Sequence, residues 1–369
     1  MITIVSSNFD LHAAAIVWSL NKAGIPAAIA ETFFGLDQHG GDFMLCEADP
    51  IDLGQCRLGQ DDKGTGLTYF RSEYTPRVDV DDSDEDFVFM RREKALYQTW
   101  LLQAIEDEPL RRFVNKPSQA IRADNKIIQL RAARRSGFAI PPTYFGAHSE
   151  QVSDMFQTRQ SIVVKPLEPF TWRYADGRTK YAFAARSDVT AINKSYEKRL
   201  MPAPAIFQAE ILKEQDIRAL VFGEEIHAFR ITQTSGHLDF REDLSDPGVT
   251  SIEYMDLPTR ITDQVFDLMR RMNIDVACMD IVPDLEGNFH FLDLNPSGNW
   301  LFLEAHAPES LLSRFCTYLA LQAGAALQAD PPSYVDYKNS IEFAQWRSEL
   351  KSKGAPYTSS QRNDIWVEK

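Results

Sequence analysis

The stretch ACMDIVPDLEGNFHFLDLNPSGNW, residues 277–300, sets two aspartates and an asparagine among apolar residues. Two apolar runs flank the turn-like PDLEGN, which predicts a β-hairpin. Side chains alternate faces along a strand, so Asp293 and Asn295 share a face, and a turn centred on Glu286-Gly287 sets Asp280 opposite Asp293. Opposed carboxylates repel, and burying either one unpaired is costly, so positive charge belongs between them. Two sources are open. A nearby lysine or arginine can pair with one aspartate while the rest sit at an exposed sheet edge. Alternatively, two carboxylates and an amide oxygen suit Mg²⁺, which takes its remaining ligands from water and substrate phosphates.

The metal alternative implies nucleotide chemistry, and therefore cationic side chains for the phosphates. Lys126 interrupts an otherwise regular helix start, and Lys165 ends the β-branched run SIVVKPL (161–167). Taken singly, each is an ordinary solvated lysine. IFQAEILKEQDIR (206–218) is a strand leading into a loop with Glu210, Glu214 and Asp216. Such a segment can offer backbone groups to adenine and a carboxylate to ribose hydroxyls, although acidic loops are common. The chain has no Gly-x-x-x-x-Gly-Lys-Ser/Thr, which removes the Walker class.

Those residues need elements to hold them. Residues 2–6 read as a buried strand, followed by a helix with Asp10 as N-cap and Gly24 as its stop, the opening of an α/β (α+β) chain. Residues 30–85 are Gly- and Asp-rich and broken. Helical periodicity returns over 87–113 and again over 118–135, the second closed by Gly137 and Pro141-Pro142. Strands are expected at 204–212 and in a hairpin over 216–231 turning near Gly223-Glu224. Helices are expected at 260–273 and 308–324, with a polar tail over 326–369.

Composition narrows the function classes. With 369 residues and 44% hydrophobic content the chain can build two or three units with ample core. The formal charge of −14 argues against a nucleic-acid backbone binder. The acidic run DVDDSDED (79–86) reads as a solvated loop. No apolar run approaches the roughly 20 residues of a membrane helix, and MITIVSSNFD lacks the features of a signal peptide. Four cysteines, at 46, 56, 278 and 316, form no Cys-x-x-Cys pair, so a reduced, cytoplasmic protein is expected.

In order, Lys126, Lys165, QAEI, DIR, MD and LDLNPSGNW resemble the ATP-grasp ligases, and within them the microviridin-type peptide macrocyclases, or graspetide synthetases. The resemblance spans about residues 1–325 and is most specific in DNKIIQLRAARRSGFAIPPT, DIRALVFGEEIHAFRI, HLDFRED and FLDLNPSGNW. It implies an ATP-grasp fold: an α/β pre-ATP-grasp domain (1–115), a central lid subdomain (116–203), and a C-terminal antiparallel-sheet subdomain carrying the metal site (204–325). It implies that Lys126 and Lys165 contact ATP phosphates, and that Gln208, Ala209, Glu210, Ile211 and Leu212 form the adenine hinge. Asp216 would lie near ribose, Arg218 and Arg241 would face the phosphates and the substrate carboxylate, and Asp280, Asp293 and Asn295 would bind Mg²⁺.

Three positions depart from the resemblance. Asp293 stands where many relatives have glutamate, Gln208-Ala209-Glu210 where macrocyclases often read Gln-Glu, and Asn299 where a glutamine is frequent.

The implied activity is ATP-dependent formation of an acyl phosphate on a carboxylate, then attack by an amine or hydroxyl. Residues 168–187 suit a lid hairpin that excludes water, although a plain surface hairpin fits equally well. His237 and then Glu304 are the first candidates for a general base. The expected partner is a precursor peptide, and a homodimer follows from the resemblance alone. Two alternatives stay open: a ligase joining amino acids or small amines to a carboxylate, as in the ribosomal-protein glutamate ligases, and a nucleotide-binding sensor without catalysis.

Overall fold

β1 (Ile2–Val5) is buried along its whole length, and α1 (Leu11–Lys22) starts where the Asp10 carboxylate accepts from the His12 N–H. The helix stops at Gly24, whose φ of +82° is left-handed backbone that a side chain would strain. β2 (Ala27–Ala30), β3 (Leu67–Phe70) and β4 (Arg112–Val114) complete a parallel sheet of order β2-β1-β3-β4. The end of the expected 87–113 helix is thus strand β4. The computed structural model describes residues 1–30, 66–71 and 112–352, except 160, 168–169, 174–178, 183, 198–202, 245 and 247, together with scattered positions between 89 and 107. The acidic run 79–86, Cys46 and Cys56 lie outside the described residues.

The single helix expected over 118–135 is two: α2 (Pro117–Ala123) and α3 (Lys126–Arg135). Asn125 makes the break, because its side-chain oxygen accepts from the N–H groups of Ile127 and Ile128 and so caps a new helix. Lys126 becomes the first residue of that helix, not a flaw within a longer one.

β5 (Thr143–Gly146), α4 (Ser149–Phe156) and β6 (Ile162–Lys165) lead to the hairpin β7 (Phe170–Arg173) and β8 (Thr179–Ala182). The hairpin falls within the stretch expected to form one, and its strands pair antiparallel. β9 (Ala185–Ser187), α5 (Val189–Glu197) and β10 (Ala205–Ala209) close a second sheet of order β5-β10-β6-β9. β10 therefore sits between β5 and β6, with the strands on its N-terminal side rather than those that follow.

The third sheet contains β11 (Asp216–Phe222), β12 (Glu225–Gln233), β13 (Thr250–Met255), β14 (Val276–Pro283) and β15 (Phe289–Asn295), antiparallel throughout in the order β13-β12-β11-β14-β15. Both faces are covered. Ile217, Ala219, Met279, Phe291 and Leu294 pack towards α3 and α6 (Thr259–Met272). Leu220, Phe222, Phe229 and Cys278 join Trp300 and α7 (Leu311–Gln322) in a core shared with α1 and β1.

The tail differs from its expectation. α8 (Tyr334–Lys338) and α9 (Ile341–Ser352) bury Tyr334, Tyr337 and Phe343 in the same core as β1 and α1. Their aromatic anchors are what the polar composition of 326–369 concealed.

Candidate functional site

Strand register assembles the charged row. Arg218 pairs with Asp280 between β11 and β14, and Asp280 pairs with Asp293 between β14 and β15. The turn is centred on Glu286, not between Glu286 and Gly287, since the Asp284 N–H bonds to the Asn288 C=O. A register shift after Asp280 absorbs that difference, so the expected Asp280–Asp293 pairing holds while the strand beyond it slips by one residue. The shift also lets Phe291 and Leu294, three residues apart, enter one apolar core.

The first source of positive charge, a neighbouring lysine or arginine, is present on this row. Arg218 Nη1 lies 2.8 Å from Asp280 Oδ1, and Lys126 Nζ lies 2.5 Å from Asp293 Oδ1. Both aspartates are thus ion-paired, not one. Arg218 is buried and its guanidinium is held still more firmly charged: burial opposes the charge, and the adjacent Asp280 outweighs it. Its Nε is buried without a hydrogen-bond partner, a donor suited to an anionic oxygen.

Lys165 ends β6 beside β10 and donates to Gln208 Oε1 at 2.9 Å. Burial lowers its pKa, and the fields of Asp293, Asp280 and Asp239 oppose that shift, which places it in the same electrostatic neighbourhood as the metal-ligand candidates. Gln208 Nε2 in turn donates to Thr143 Oγ1 at 3.0 Å. The remaining expected hinge residues divide. Ala209 is buried, Ile211 is half-buried and Leu212 is exposed, at the end of β10. Both oxygens of Glu210 are engaged, one by Ser161 Oγ at 2.5 Å and one by Arg186 Nε at 2.7 Å.

Asp216 is gripped by Lys213 Nζ at 2.5 and 2.7 Å, and burial raises its pKa despite that lysine. Arg241 is held by Asp239, with Nε 2.8 Å from Oδ1, and burial of Asp239 is outweighed by this partner, so its carboxyl stays below the usual range. Of the base candidates, His237 Nδ1 lies 2.9 Å from Asp243 Oδ1 with the ring half-exposed. Glu304, the second candidate, is buried and accepts from Ser310 Oγ, the Leu312 N–H and the Tyr334 N–H, which makes it a clasp for the start of α7.

The donor set fits Mg²⁺. Asp280 and Asp293 are partly open, present hard oxygens, and face each other. Asn295 Oδ1 accepts from the Ser297 N–H at 2.9 Å and keeps a second lone pair. Among the described residues no group of three or more His, Cys, Asp or Glu side chains could hold a metal, so any ion here relies on two carboxylates plus the amide, water and phosphate oxygens.

One group had no sequence signal. Arg71 stands alone after β3, yet it is buried and donates from Nε to Asp10 Oδ2 at 2.6 Å and from Nη2 to Asn299 Oδ1 at 2.7 Å. Asn299, noted only as a departure from glutamine, is an acceptor in that network.

No family model matches the chain, and no curated protein matches it. Solved structures do. A RiPP-associated ATP-grasp ligase of Chryseobacterium gregarium, in complex with ADP and a leader and core peptide, aligns with a TM-score of 0.69 at 18% identity, covering 90% of this chain and 99% of that one. The macrocyclase MdnC of Microcystis aeruginosa MRC, bound with precursor peptide MdnA, aligns at 0.67 and 20% identity over 87% of this chain and 98% of that one. The D-cycloserine synthetase DcsG aligns at 0.53 and 14% identity over 87% and 99%. The chain has the ATP-grasp fold, as the sequence resemblance implied.

Proposed function

We propose that this chain is an ATP-dependent ligase that activates side-chain carboxylates of a peptide and joins them to an amine or hydroxyl of the same peptide. The observation that carries this is the convergence of Lys126, Lys165 and Arg218 on the opposed pair Asp280 and Asp293, on neighbouring strands of an ATP-grasp sheet. Peptide-bound ligases superpose with TM-scores of 0.69 and 0.67, against 0.53 for the small-molecule synthetase, which favours a peptide substrate over free amino acids.

In this reading Lys126, Lys165 and Arg218 bind the triphosphate oxygens, and Leu212, exposed beyond β10, lies against the base. Asp280, Asp293 and Asn295 hold Mg²⁺, which when bound supplies Lewis-acid neutralisation of phosphoryl charge. A carboxylate oxygen of the substrate attacks the γ-phosphorus, and ADP leaves with the electrons of the broken P–O bond. Arg241 and Arg218 orient that carboxylate and offset its charge. The nucleophile then attacks the acyl carbon, inorganic phosphate leaves, and the nucleophile's proton passes to His237, which Asp243 orients. Each turnover converts ATP to ADP and phosphate and removes one water from the peptide. The β7–β8 hairpin serves as the cover that keeps water from the acyl phosphate. Among the described residues no helix is long and apolar enough to cross a membrane, and we place the reaction in the cytoplasm.

The test is intact-mass analysis of peptides rich in Asp or Glu with Ser, Thr or Lys, incubated with enzyme, ATP and Mg²⁺. A loss of about 18 Da per bond, the mass of one water, accompanied by equimolar ADP, is expected. ADP release with free amino acids but with no peptide would replace this reading with the small-amine ligase. Nucleotide binding without turnover on any carboxylate would leave a sensor.

A further inference from the structure

An open parallel sheet presents its ligand crevice at the carboxyl ends of neighbouring strands whose connections run in opposite directions. In the N-terminal sheet that point lies between β1 and β3, and the chain fills it with its own residues 297–301. Ser297 Oγ donates to the Arg71 carbonyl. His12 Nε2 accepts from the Trp300 and Leu301 N–H groups at 2.9 and 3.0 Å. The Arg71 side chain, only 3% exposed, spreads its fork over Asp10, the Gly298 carbonyl and Asn299.

The far side of this loop touches the charged row. A Cβ on Gly298 would lie 2.4 Å from Cys278 Cβ and 3.0 Å from Arg218 Nη2, so the backbone must pass here bare. The Asn299 carbonyl accepts from Arg218 Nη2 at 3.1 Å, and Arg218 Nη1 holds Asp280. Hydrogen bonds thus run without a break from Asp10 through Arg71, Asn299 and Arg218 to Asp280.

We propose that Arg71 is a positioning residue for the metal and phosphate face, setting the Arg218 guanidinium and the Asp280 carboxylate through the 297–301 loop. The proposal rests on the nucleotide-site reading above. Arginine is suited to the task because its planar fork serves three acceptors at once, which a lysine ammonium on a flexible stem does not reproduce.

The test uses the full chain with Arg71→Lys and the milder Asn299→Ala. Binding of a non-hydrolysable ATP analogue is measured by calorimetry with and without Mg²⁺, hydrogen exchange is followed at the 298–301 amides, and melting temperature is recorded. Arg71→Lys is expected to weaken Mg²⁺-dependent nucleotide affinity by about 10–100-fold, the usual cost of losing a partner that orients a metal ligand. Metal-free affinity should stay within about twofold, and the 298–301 amides should exchange faster while β14 stays protected. Asn299→Ala should move the same readouts in the same direction by about threefold with little change in melting, which keeps the test decisive if Arg71→Lys folds poorly. Wild-type Mg²⁺ enhancement in both variants would overturn the proposal alone, as would a lowered melting temperature with unchanged affinity per folded molecule. Absence of nucleotide binding by the wild type would instead overturn the site reading, and the proposal with it.

Discussion

Asp280 and Asp293 face one another across β14 and β15, and each is matched to its own cation, Arg218 at 2.8 Å and Lys126 at 2.5 Å. Lys126 and Arg218 can turn to phosphate oxygens without leaving opposed carboxylates unbalanced only if a divalent cation arrives with the nucleotide. Metal and nucleotide should therefore bind cooperatively. Calorimetry with a non-hydrolysable ATP analogue is expected to show affinity at least about tenfold higher with Mg²⁺ than without, the lower end of typical coupling between linked sites.

Asp280→Asn and Asp293→Asn keep the size of each side chain and remove its charge. Peptide-dependent ADP release should fall by at least about 100-fold in each, as for loss of a preorganised electrostatic group, with unchanged far-UV circular dichroism. Asp293→Glu restores the longer carboxylate of many relatives. It should stay within about tenfold of wild type at saturating Mg²⁺, with a shifted Mg²⁺ requirement.

Burial alone would raise the Asp10 carboxyl, but the Arg71 guanidinium, helped by the hydrogen bond from Ser6, outweighs it and brings its pKa from 3.8 to about 2. A depressed carboxyl contributes stability that is complete above the unfolded value and is lost as pH falls through the folded one, about 2 kcal/mol in all. Urea unfolding of Asp10→Asn, which keeps the helix cap, should show a correspondingly smaller loss of stability between pH 5 and pH 2 than wild type. Equal slopes would detach Asp10 from the acid response.

Glu304 clasps Ser310, Leu312 and Tyr334. Glu304→Gln should lower stability by roughly 1–3 kcal/mol through an imperfectly satisfied buried cluster. The rate per folded molecule and the pH profile should not move, because no proton of the reaction passes through it.

Arg186 ties Glu210 at the end of β10 to the Gly236 carbonyl in the loop after β12, at 2.7 and 2.6 Å. If this tie fixes the hinge, Arg186→Ala and Glu210→Ala should each raise the KM for ATP, and the double variant should add little to either. A coupling of about 1 kcal/mol in the cycle is expected for residues in contact, and additive effects would place Glu210 against the nucleotide by itself.

Local rules made much of the sheet and its chemistry legible. A turn at PDLEGN and strand alternation located the Asp280–Asp293 pair, although the pairing also needed a register shift after Asp280 that the sequence did not announce, and Asp10 and Gly24 marked the ends of α1 as their types suggest. What escaped was set by distant partners. β10 could not be assigned to its sheet because β5 and β6 lie about 40–65 residues upstream, and pairing at that range leaves no local mark. Asn125 capping turned one apparent helix into two, since a cap and a mid-helix asparagine read alike until the backbone is known. Glu304 resembled a catalytic carboxylate because burial and hydrogen-bond partners are not written in its neighbours. Arg71 carried no pattern at all, being one arginine whose three acceptors come from two other parts of the chain.

The chain's last described helices lie against its first. Ser19 donates to the Pro332 carbonyl at 2.8 Å, Trp346 Nε1 donates to the Asn8 carbonyl at 2.9 Å, and Tyr334, Tyr337 and Phe343 share a core with Ile2, Ile4 and Leu11. During synthesis β1 and α1 leave the ribosome some 300 residues before these aromatics do. The N-terminal sheet must wait with an incomplete core, exposed to misassembly, until Tyr334, Tyr337 and Phe343 have been made. Nascent chains stalled before residue 330 should be far more sensitive to protease within residues 1–30 than released chains that include residues 330–352.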